Sequence, residues 1–306
     1  MKIVSSSPLP IDLAAQLPHD DVVIPEQWTS VARLDLSDAD ALVCLLLDRV
    51  DASVLDRAPR LRVVANCAVG YDNVDVAAAT ARGIAVTNTP DVLTEATAEF
   101  TWALILAVAR RLPEAADMVR SGTWPGWRLD QLLGQSLAGK TLGIVGMGRI
   151  GTAVARRAPA FGMRVIHADL HGGMPLDELF ATADVITIHC PLTPETHHLV
   201  DARRLALCKP TAIVINTARG GIVDEAALVD AKIFGAGLDV FEGEPKVDAR
   251  LVANHRLVLA PHLGSATTEA RTQMAQLCAN AVKAVFAGQR PTNLVNPEVT
   301  LRGSIT

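Results

Sequence analysis

Short apolar, β-branched runs alternate with amphipathic stretches along most of the chain. In the first third, these runs predict strands over Lys2–Ser5, Val22–Ile24, Ala41–Leu46, Leu61–Asn66 and Ala85–Thr87. Helical patterns lie between some of them, over Asp51–Ala58 and Val76–Arg82. Strands that alternate with helices predict βαβ units and a parallel sheet.

A second series of the same kind follows a long apolar helix pattern, from about Glu95 to Val119 and interrupted at Pro113, and a loop rich in Gly, Trp and Pro. Its predicted strands are Thr141–Val145, Arg164–Ala168, Val185–His189, Ala212–Asn216, Ala236–Asp239 and Leu257–Ala260. A last amphipathic helix is predicted over Thr268–Ala287. We therefore predict an α/β protein with two doubly wound parallel-sheet domains, Rossmann or flavodoxin-like, and a cleft between them. We expect residues 94–265 to form one domain, and residues 1–93 with 266–306 to form the other.

One glycine motif indicates a nucleotide site. Gly146, Gly148 and Gly151 form a GxGxxG pattern between an apolar strand and a helix pattern. Such glycines permit a tight turn, close approach of a pyrophosphate and close packing of helix on strand, while the helix N-terminus binds phosphate. Asp169 ends the next predicted strand, where a carboxylate can bind ribose hydroxyls. The motif predicts a dinucleotide-binding domain over residues 94–265.

Three polar residues follow three successive predicted strands. They are Arg219 in INTARGG, Glu244 in LDVFEGEP and His262 in APHLGSAT. Ligands of open α/β sheets bind at the carboxyl ends of the strands. Arginine can bind a carboxylate through two hydrogen bonds, histidine can donate a proton to a forming alkoxide, and a neighbouring glutamate favours the imidazolium. Each residue alone is about as often structural, but their recurrence at strand ends favours hydride transfer to a 2-oxo acid.

The sequence resembles the D-isomer-specific 2-hydroxyacid dehydrogenases, and within them the glyoxylate/hydroxypyruvate reductases. The motifs that carry the resemblance lie between about residues 60 and 270: VGYDNVDVAAATARGIAVTNTPDVLTEATAE, LAGKTLGIVGMGRIG, IHCPLTPETHHLV, INTARGGIVDEAAL, GAGLDVFEGEP and APHLGSAT. The resemblance implies that Arg219, Glu244 and His262 are catalytic, and that Arg219 with the backbone N–H groups of Val69 and Gly70 binds substrate. Residues 1–93 and 266–306 would then form the substrate-binding domain.

The resemblance also implies a set of cofactor contacts beyond the glycines. They are Thr94, Arg149, Ile150, Asp169, Cys190, Thr217, Ala218, Asp239, Gly264 and Ser265. We expect Cys190 to act mainly through its backbone, and Asp239 either to face the nicotinamide carboxamide or to cap a strand end. The stretches that follow Asp169 and Asp230 are shorter than is usual in the family, which affects the adenosine side rather than the catalytic residues.

The cofactor prediction is NAD(H), with NADP(H) as the alternative. The charge of Asp169 would repel a 2′-phosphate, and Leu170 stands where a cation could have held one. Arg149, in the glycine loop, could still reach such a phosphate. We expect no metal site, because His197 and His198 have no further ligand at a typical spacing nearby, and we interpret His255 as an exposed loop residue.

Composition excludes several classes of protein. The net charge is -5 with scattered basic residues, so neither nucleic acid nor a membrane surface is expected as a partner. The five cysteines show no C-x-x-C spacing, which fits a reducing compartment and a cytoplasmic protein.

The apolar helix pattern and the loop with Trp124 and Trp127 resemble the dimer-forming part of the family, so we expect a homodimer. Two alternatives remain: another enzyme of the family, of D-lactate or phosphoglycerate type, and a non-catalytic NADH-sensing corepressor-like scaffold.

Overall fold

The computed structural model describes residues 1–170 and 172–301. The chain forms two compact units. One contains residues 1–93 and the segment from Ala266 onward, and the other contains Thr94–Ser265. The last residues of the predicted discontinuous domain, 302–306, lie outside the described residues.

The described part of the first unit contains a parallel sheet of five strands. The strands are β1 (Lys2–Ser5), β2 (Asp21–Val23), β3 (Ala41–Cys44), β4 (Val63–Asn66) and β5 (Ala85–Thr87). Their order across the sheet is β2-β1-β3-β4-β5, as in flavodoxin-like folds. The helices α1 (Leu13–Gln16), α2 (Ala52–Asp56) and α3 (Val76–Ala81) connect them, and each begins with an aspartate whose carboxylate accepts a backbone N–H.

The second unit is built around a larger sheet, in which seven strands are described. They are β6 (Thr141–Val145), β7 (Arg164–Asp169), β8 (Gly172–Gly173), β9 (Val185–Ile188), β10 (Ile213–Asn216), β11 (Gly235–Leu238) and β12 (Leu257–Leu259). The order is β12-β11-β10-β9-β6-β7-β8, with all pairs parallel except β7 and β8. The helices are α4 (Thr94–Ala109), α5 (Leu112–Arg120), α6 (Arg149–Arg157), α7 (Leu176–Thr182), α8 (Ala202–Leu207), α9 (Glu225–Asp230) and α10 (Ala249–Val252).

The helix pattern from Glu95 to Val119, predicted with an interruption at Pro113, forms two helices, and only the position of the break differs from the prediction. The break lies two residues before Pro113, at Arg111, whose φ of 53° is left-handed. Pro113 lies in the first turn of α5, where its missing N–H costs no hydrogen bond. The Arg111 guanidinium binds the Glu114 carboxylate at 2.6 and 2.9 Å and holds the bend.

After the second unit, the chain continues into helix α11 (Thr268–Phe286), which packs on β4 and β5 of the first unit. Ala270, Met274, Cys278 and Val282 are buried at four-residue spacing. This spacing places them on one face of the helix, against the sheet. Within residues 1–170 and 172–301, the structure contains no helix with the length and apolar character needed to cross a bilayer.

The strand order of the second unit determines where a ligand can bind. Strand β6 lies between β7 and β9, so the chain winds away from β6 in both directions. Such a reversal opens a crevice at the carboxyl ends of the two strands, here β6 and β9. The segments after β7, β10, β11 and β12 begin at the same edge, because these strands are parallel to β6 and β9.

Candidate active site

The glycine loop follows β6 at this edge. Gly146 has a φ of 93°, and a Cβ built on it would lie 2.6 Å from the backbone N of Cys190, after β9. A Cβ on Gly151 would lie 2.2 Å from the Gly146 carbonyl oxygen. A Cβ on Gly148, in contrast, would have no described atom within 4 Å. The first and third glycines therefore allow the backbone to pack closely, and the second leaves open space above the loop.

Helix α6 begins at this open space. Gly148 is its N-cap, with an extended backbone, and within the described residues no side chain caps the first turn. Arg149 and Ile150 are its first two residues. The N–H groups of a first helical turn have no partner inside the helix and carry the positive end of its dipole. The loop thus fits the pyrophosphate of a dinucleotide, whose charge these groups would stabilise.

Asp169 lies at the end of β7, beside the same loop. One oxygen of its carboxylate accepts the backbone N–H of Met147 at 2.8 Å. The next residue, Leu170, is 92% exposed. Burial raises the pKa of the Cys190 thiol to about 11, so the thiol stays protonated at neutral pH. The part of Cys190 that lies against the glycine loop is its backbone.

Arg219 is held by the turn that follows β10. The buried side chain of Asn216 accepts the N–H of Ala218 at 3.0 Å and donates to the carbonyl of Arg219 at 2.8 Å. The Arg219 guanidinium is half-buried and donates to the Ala218 carbonyl at 2.9 Å. The sequence analysis assigned no role to Asn216, because the burial that directs its amide into this turn is a property of the folded structure.

Glu244 and His262 form a hydrogen-bonded pair. The His262 Nδ1 lies 2.9 Å from Glu244 Oε2, and the other carboxylate oxygen accepts the N–H of Phe241 at 2.8 Å. Burial would raise the pKa of Glu244, but the hydrogen bond and charge of His262, the Phe241 N–H and the charge of Arg219 outweigh it and lower that pKa. The carboxylate is therefore ionised at neutral pH and places a negative charge against His262 Nδ1.

Asp239, at the end of β11, positions the loop that carries His262. Its two carboxylate oxygens accept the N–H groups of Leu263 at 2.6 Å and Gly264 at 2.7 Å, and its carbonyl accepts the N–H of His262 at 2.8 Å. His262 itself has a φ of 56°, which is uncommon for a residue with a side chain. Asp239 thus holds the backbone of the loop that carries His262.

The remaining predicted cofactor residues lie at the same end of the second unit or at its start. Thr94 is the first residue of α4, and Ser265 is half-buried after Gly264. The Thr217 hydroxyl lies 3.0 Å from that of Thr101 on α4. Ala218 is held by Asn216, as described above. The structure brings the glycine loop to Cys190 and Asp169, and brings Glu244 to His262 near the charge of Arg219.

Val69 and Gly70 belong to the first unit, in the turn after β4. The amide of Asn66 donates to the Gly70 carbonyl at 2.9 Å, and the amide of Asn88 donates to the Val69 carbonyl at 2.8 Å. Both carbonyls are thereby held in place. Within the described residues, neither the N–H of Val69 nor that of Gly70 donates a hydrogen bond. This arrangement is suited to binding an anion through the backbone.

The chain is similar to a well-defined set of known proteins. Residues 102–264 match the model of the D-isomer specific 2-hydroxyacid dehydrogenase, NAD binding domain. The chain is 52% identical to a glyoxylate reductase of Thermococcus gammatolerans over 86% of this chain and 84% of that protein.

Two similar crystal structures contain nucleotides. One is an NADPH-dependent glyoxylate/hydroxypyruvate reductase of Sinorhizobium meliloti in complex with NADP and malonate, with a TM-score of 0.87, 35% identity and 99% of each chain covered. The other is a D-lactate dehydrogenase of Aquifex aeolicus complexed with NAD and lactic acid, with a TM-score of 0.87, 30% identity, 96% of this chain and 99% of that chain covered.

Proposed function

The chain belongs to the D-isomer specific 2-hydroxyacid dehydrogenases, which are NAD(P)-dependent oxidoreductases, and from this premise we propose that it reduces glyoxylate and hydroxypyruvate. Glyoxylate would yield glycolate, and hydroxypyruvate would yield D-glycerate. The observation that carries the proposal is the His262–Glu244 pair at 2.9 Å, with the charge of Arg219 beside it and a dinucleotide loop on the same sheet edge.

Arg219 would bind the substrate carboxylate. Its planar guanidinium can donate two parallel hydrogen bonds and can polarise the adjacent carbonyl. The turn held by Asn216 fixes the backbone from which the side chain extends. In the first unit, the N–H groups of Val69 and Gly70 are proposed to bind a substrate carboxylate.

His262 would donate the proton that the forming alkoxide needs. Its Nδ1 is bound to Glu244, so Nε2 is the atom that remains for the substrate oxygen. Reduced nicotinamide, when bound, supplies the hydride. Glu244 orients the imidazole and supplies a negative charge beside it, and its carboxylate is fixed in turn by the N–H of Phe241.

The residues proposed to hold the cofactor follow the sheet edge. Gly146, Gly148, Gly151 and the first turn of α6 would bind the pyrophosphate, and Asp169 would bind the adenosine ribose. Thr94, Thr217, Ala218, Gly264 and Ser265 would line the nicotinamide side. We assign residues 94–265 as the NAD-binding domain and the first unit as the substrate-binding domain.

Substitution of Glu244 by glutamine is expected to move the pH dependence of reduction. The lowered pKa of Glu244 shows that its carboxylate and a charged His262 stabilise each other. Without the negative charge beside the imidazolium that donates the proton, the reductive activity should fall at a lower pH than in the wild type as the pH rises. The measurement is kcat/KM for glyoxylate against pH. An unchanged profile would contradict the pairing.

We propose NAD(H) as the preferred cofactor. The Asp169 carboxylate beside the glycine loop would repel a 2′-phosphate. Arg149, in the first turn of α6, is the cation closest in sequence to that loop and is the residue that could bind such a phosphate. The substitution pair Asp169→Ser with Leu170→Arg should narrow or reverse the ratio of kcat/KM for NADH over NADPH, with the 2-oxo acid preference unchanged. A wild-type preference for NADPH at equal ionic strength would overturn this assignment.

We propose a homodimer with a two-fold interface. The segment from Leu112 to Leu133 exposes several large apolar side chains: Val119 63%, Trp124 55%, Trp127 80%, Leu129 81% and Leu133 64%. A second copy of the segment would cover them. Light scattering at micromolar concentration should give twice the chain mass, and Trp127→Glu with Leu129→Glu should give the monomer. A monomeric wild-type protein would refute the dimer.

The stereochemistry of the reverse reaction tests the proposed function. We expect oxidation of D-glycerate with NAD and no oxidation of L-glycerate. Efficient turnover of pyruvate or 3-phosphohydroxypyruvate, with little of glyoxylate or hydroxypyruvate, would instead favour the D-lactate or phosphoglycerate type. The cytoplasmic location stays a prediction, and the five free cysteines are compatible with it.

A further inference from the structure

Two adjacent histidines and a glutamate meet on the surface of the second unit. His197 Nε2 lies 3.4 Å from Glu242 Oε1, and His198 Nε2 lies 3.2 and 3.1 Å from the two Glu242 oxygens. All three ligand-type atoms lie within 4.8 Å of one another. The expectation of no metal site was based on the absence of a further ligand near the two histidines in sequence. The fold supplies one from 44 residues later.

The backbone of the histidine pair explains how neighbouring side chains reach the same point. His198 has a φ of 49°, in the left-handed region, so its side chain does not diverge from that of His197. The N–H of His197 donates to the Thr193 carbonyl at 2.9 Å, and that of His198 donates to the Gly221 carbonyl at 2.8 Å. The two imidazoles stack with their centroids 4.0 Å apart, and both direct Nε2 at Glu242.

The backbone of Glu242 is also held in place by a hydrogen bond. Its backbone N–H donates to a carboxylate oxygen of Glu225 at 2.8 Å. The three side chains are 36–51% exposed, so an ion could enter from solvent without rearrangement of the core. The backbone of the cluster is thus fixed by hydrogen bonds, and its metal-ligating atoms are accessible to solvent.

The donor set and its nitrogen-to-oxygen distances are compatible with a tetrahedral metal ion. Zinc binds imidazole nitrogen and carboxylate oxygen at about 2.0–2.2 Å, so neighbouring ligand atoms lie about 3.3–3.5 Å apart. The nitrogen-to-oxygen distances here are 3.1–3.4 Å. We propose that His197, His198 and Glu242 form a binding site for a divalent transition-metal ion of the zinc type. Water would complete the coordination, as it does in sites with three protein ligands.

The proposed metal site lies next to the segments that carry two of the catalytic residues. Glu242 is two residues before Glu244, and Gly221, which anchors His198, is two residues after Arg219. A bound ion would connect these two segments through His198 and Glu242. Metal binding should therefore stabilise the folded protein, since an ion that binds only the folded state raises its stability by mass action.

The test is a titration of the full-length, chelator-treated protein with zinc chloride, followed by isothermal calorimetry and element analysis. The wild type should bind one zinc ion per chain and show a raised melting temperature. Loss of even an indirect supporting partner typically weakens metal binding about 10–100-fold, so His198→Ala and Glu242→Gln should each weaken it at least about 10-fold. Cobalt chloride in place of zinc should give the visible absorption of a tetrahedral ion in the wild type, but not in His198→Ala or Glu242→Gln.

Two matched variants separate this site from other histidines. His255→Ala removes another exposed imidazole, and His262→Ala removes the imidazole of the catalytic pair. Both should bind zinc with wild-type affinity. Circular dichroism of the metal-free His198→Ala and Glu242→Gln proteins verifies that they are folded. The proposal is overturned by an absence of zinc binding in the wild type, by undiminished binding in folded His198→Ala and Glu242→Gln, or by loss of binding in His262→Ala alone.

Discussion

Replacement of His262 with alanine should lower kcat for glyoxylate reduction by about 10²–10⁴-fold, the usual contribution of a positioned general acid. The alanine side chain cannot donate a proton to the forming alkoxide, and Glu244 loses the partner that its Oε2 contacts at 2.9 Å. The glycine loop is left intact, so the dissociation constant for NADH should change little. Steady-state kinetics and NADH fluorescence titration measure the two quantities separately.

His255→Ala is the matched control, because His255 is exposed on a loop seven residues earlier. It should leave kcat close to the wild-type value, because substitutions at exposed positions usually change the free energy of unfolding by no more than about 0.5 kcal/mol. A His262→Ala enzyme that keeps wild-type kcat would remove His262 from the mechanism. Equal losses in the two variants would show that the effect is not specific to the catalytic pair.

Replacement of Arg219 with alanine should lower kcat/KM by about 10²-fold or more, because two hydrogen bonds to a charged carboxylate are lost at about 1.5–3 kcal/mol each. The loss should appear largely in KM when the carboxylate is bound equally in the ground and transition states. Arg219→Lys keeps the charge but not the planar pair of donors, so it should recover only part of the loss.

The pH profile of the Arg219 variants gives an independent readout. The charge of Arg219 helps to lower the pKa of Glu244, so Arg219→Ala should raise that pKa, whereas Arg219→Lys should keep it closer to the wild-type value. In the alanine variant, the acid limb of kcat/KM should therefore move to higher pH. Wild-type kcat/KM in Arg219→Ala would show that another group binds the substrate carboxylate.

Patterns local in sequence predicted most of the fold. The alternation of apolar runs with helices led to the two parallel sheets, because each βα unit carries its own periodicity. The GxGxxG motif and the three strand-end residues indicated the edge of the second sheet, because all parallel strands end on one side. The break at Arg111 was misplaced, since Pro113 restricts the residues before it as well as its own position.

Features that depend on contacts between residues distant in sequence could not be predicted from such local patterns. Asn216 supports Arg219 through hydrogen bonds within one turn, and only its burial reveals the role. The approach of Glu242 to His197 and His198 depends on how the loops after β9 and β11 are placed, and nothing in either segment specifies the other. Asp239 was left with two roles, and its hydrogen bonds to Leu263 and Gly264 support the positioning role.

The most direct test of the central claim is the oxidation of reduced nicotinamide by purified wild-type protein in the presence of glyoxylate or hydroxypyruvate, measured as the loss of the absorbance of reduced nicotinamide. The proposed mechanism predicts saturable turnover with both acids and with NADH as the better donor. Tight binding of NADH without turnover of any 2-oxo acid would contradict it and would point to a non-catalytic, NADH-sensing protein.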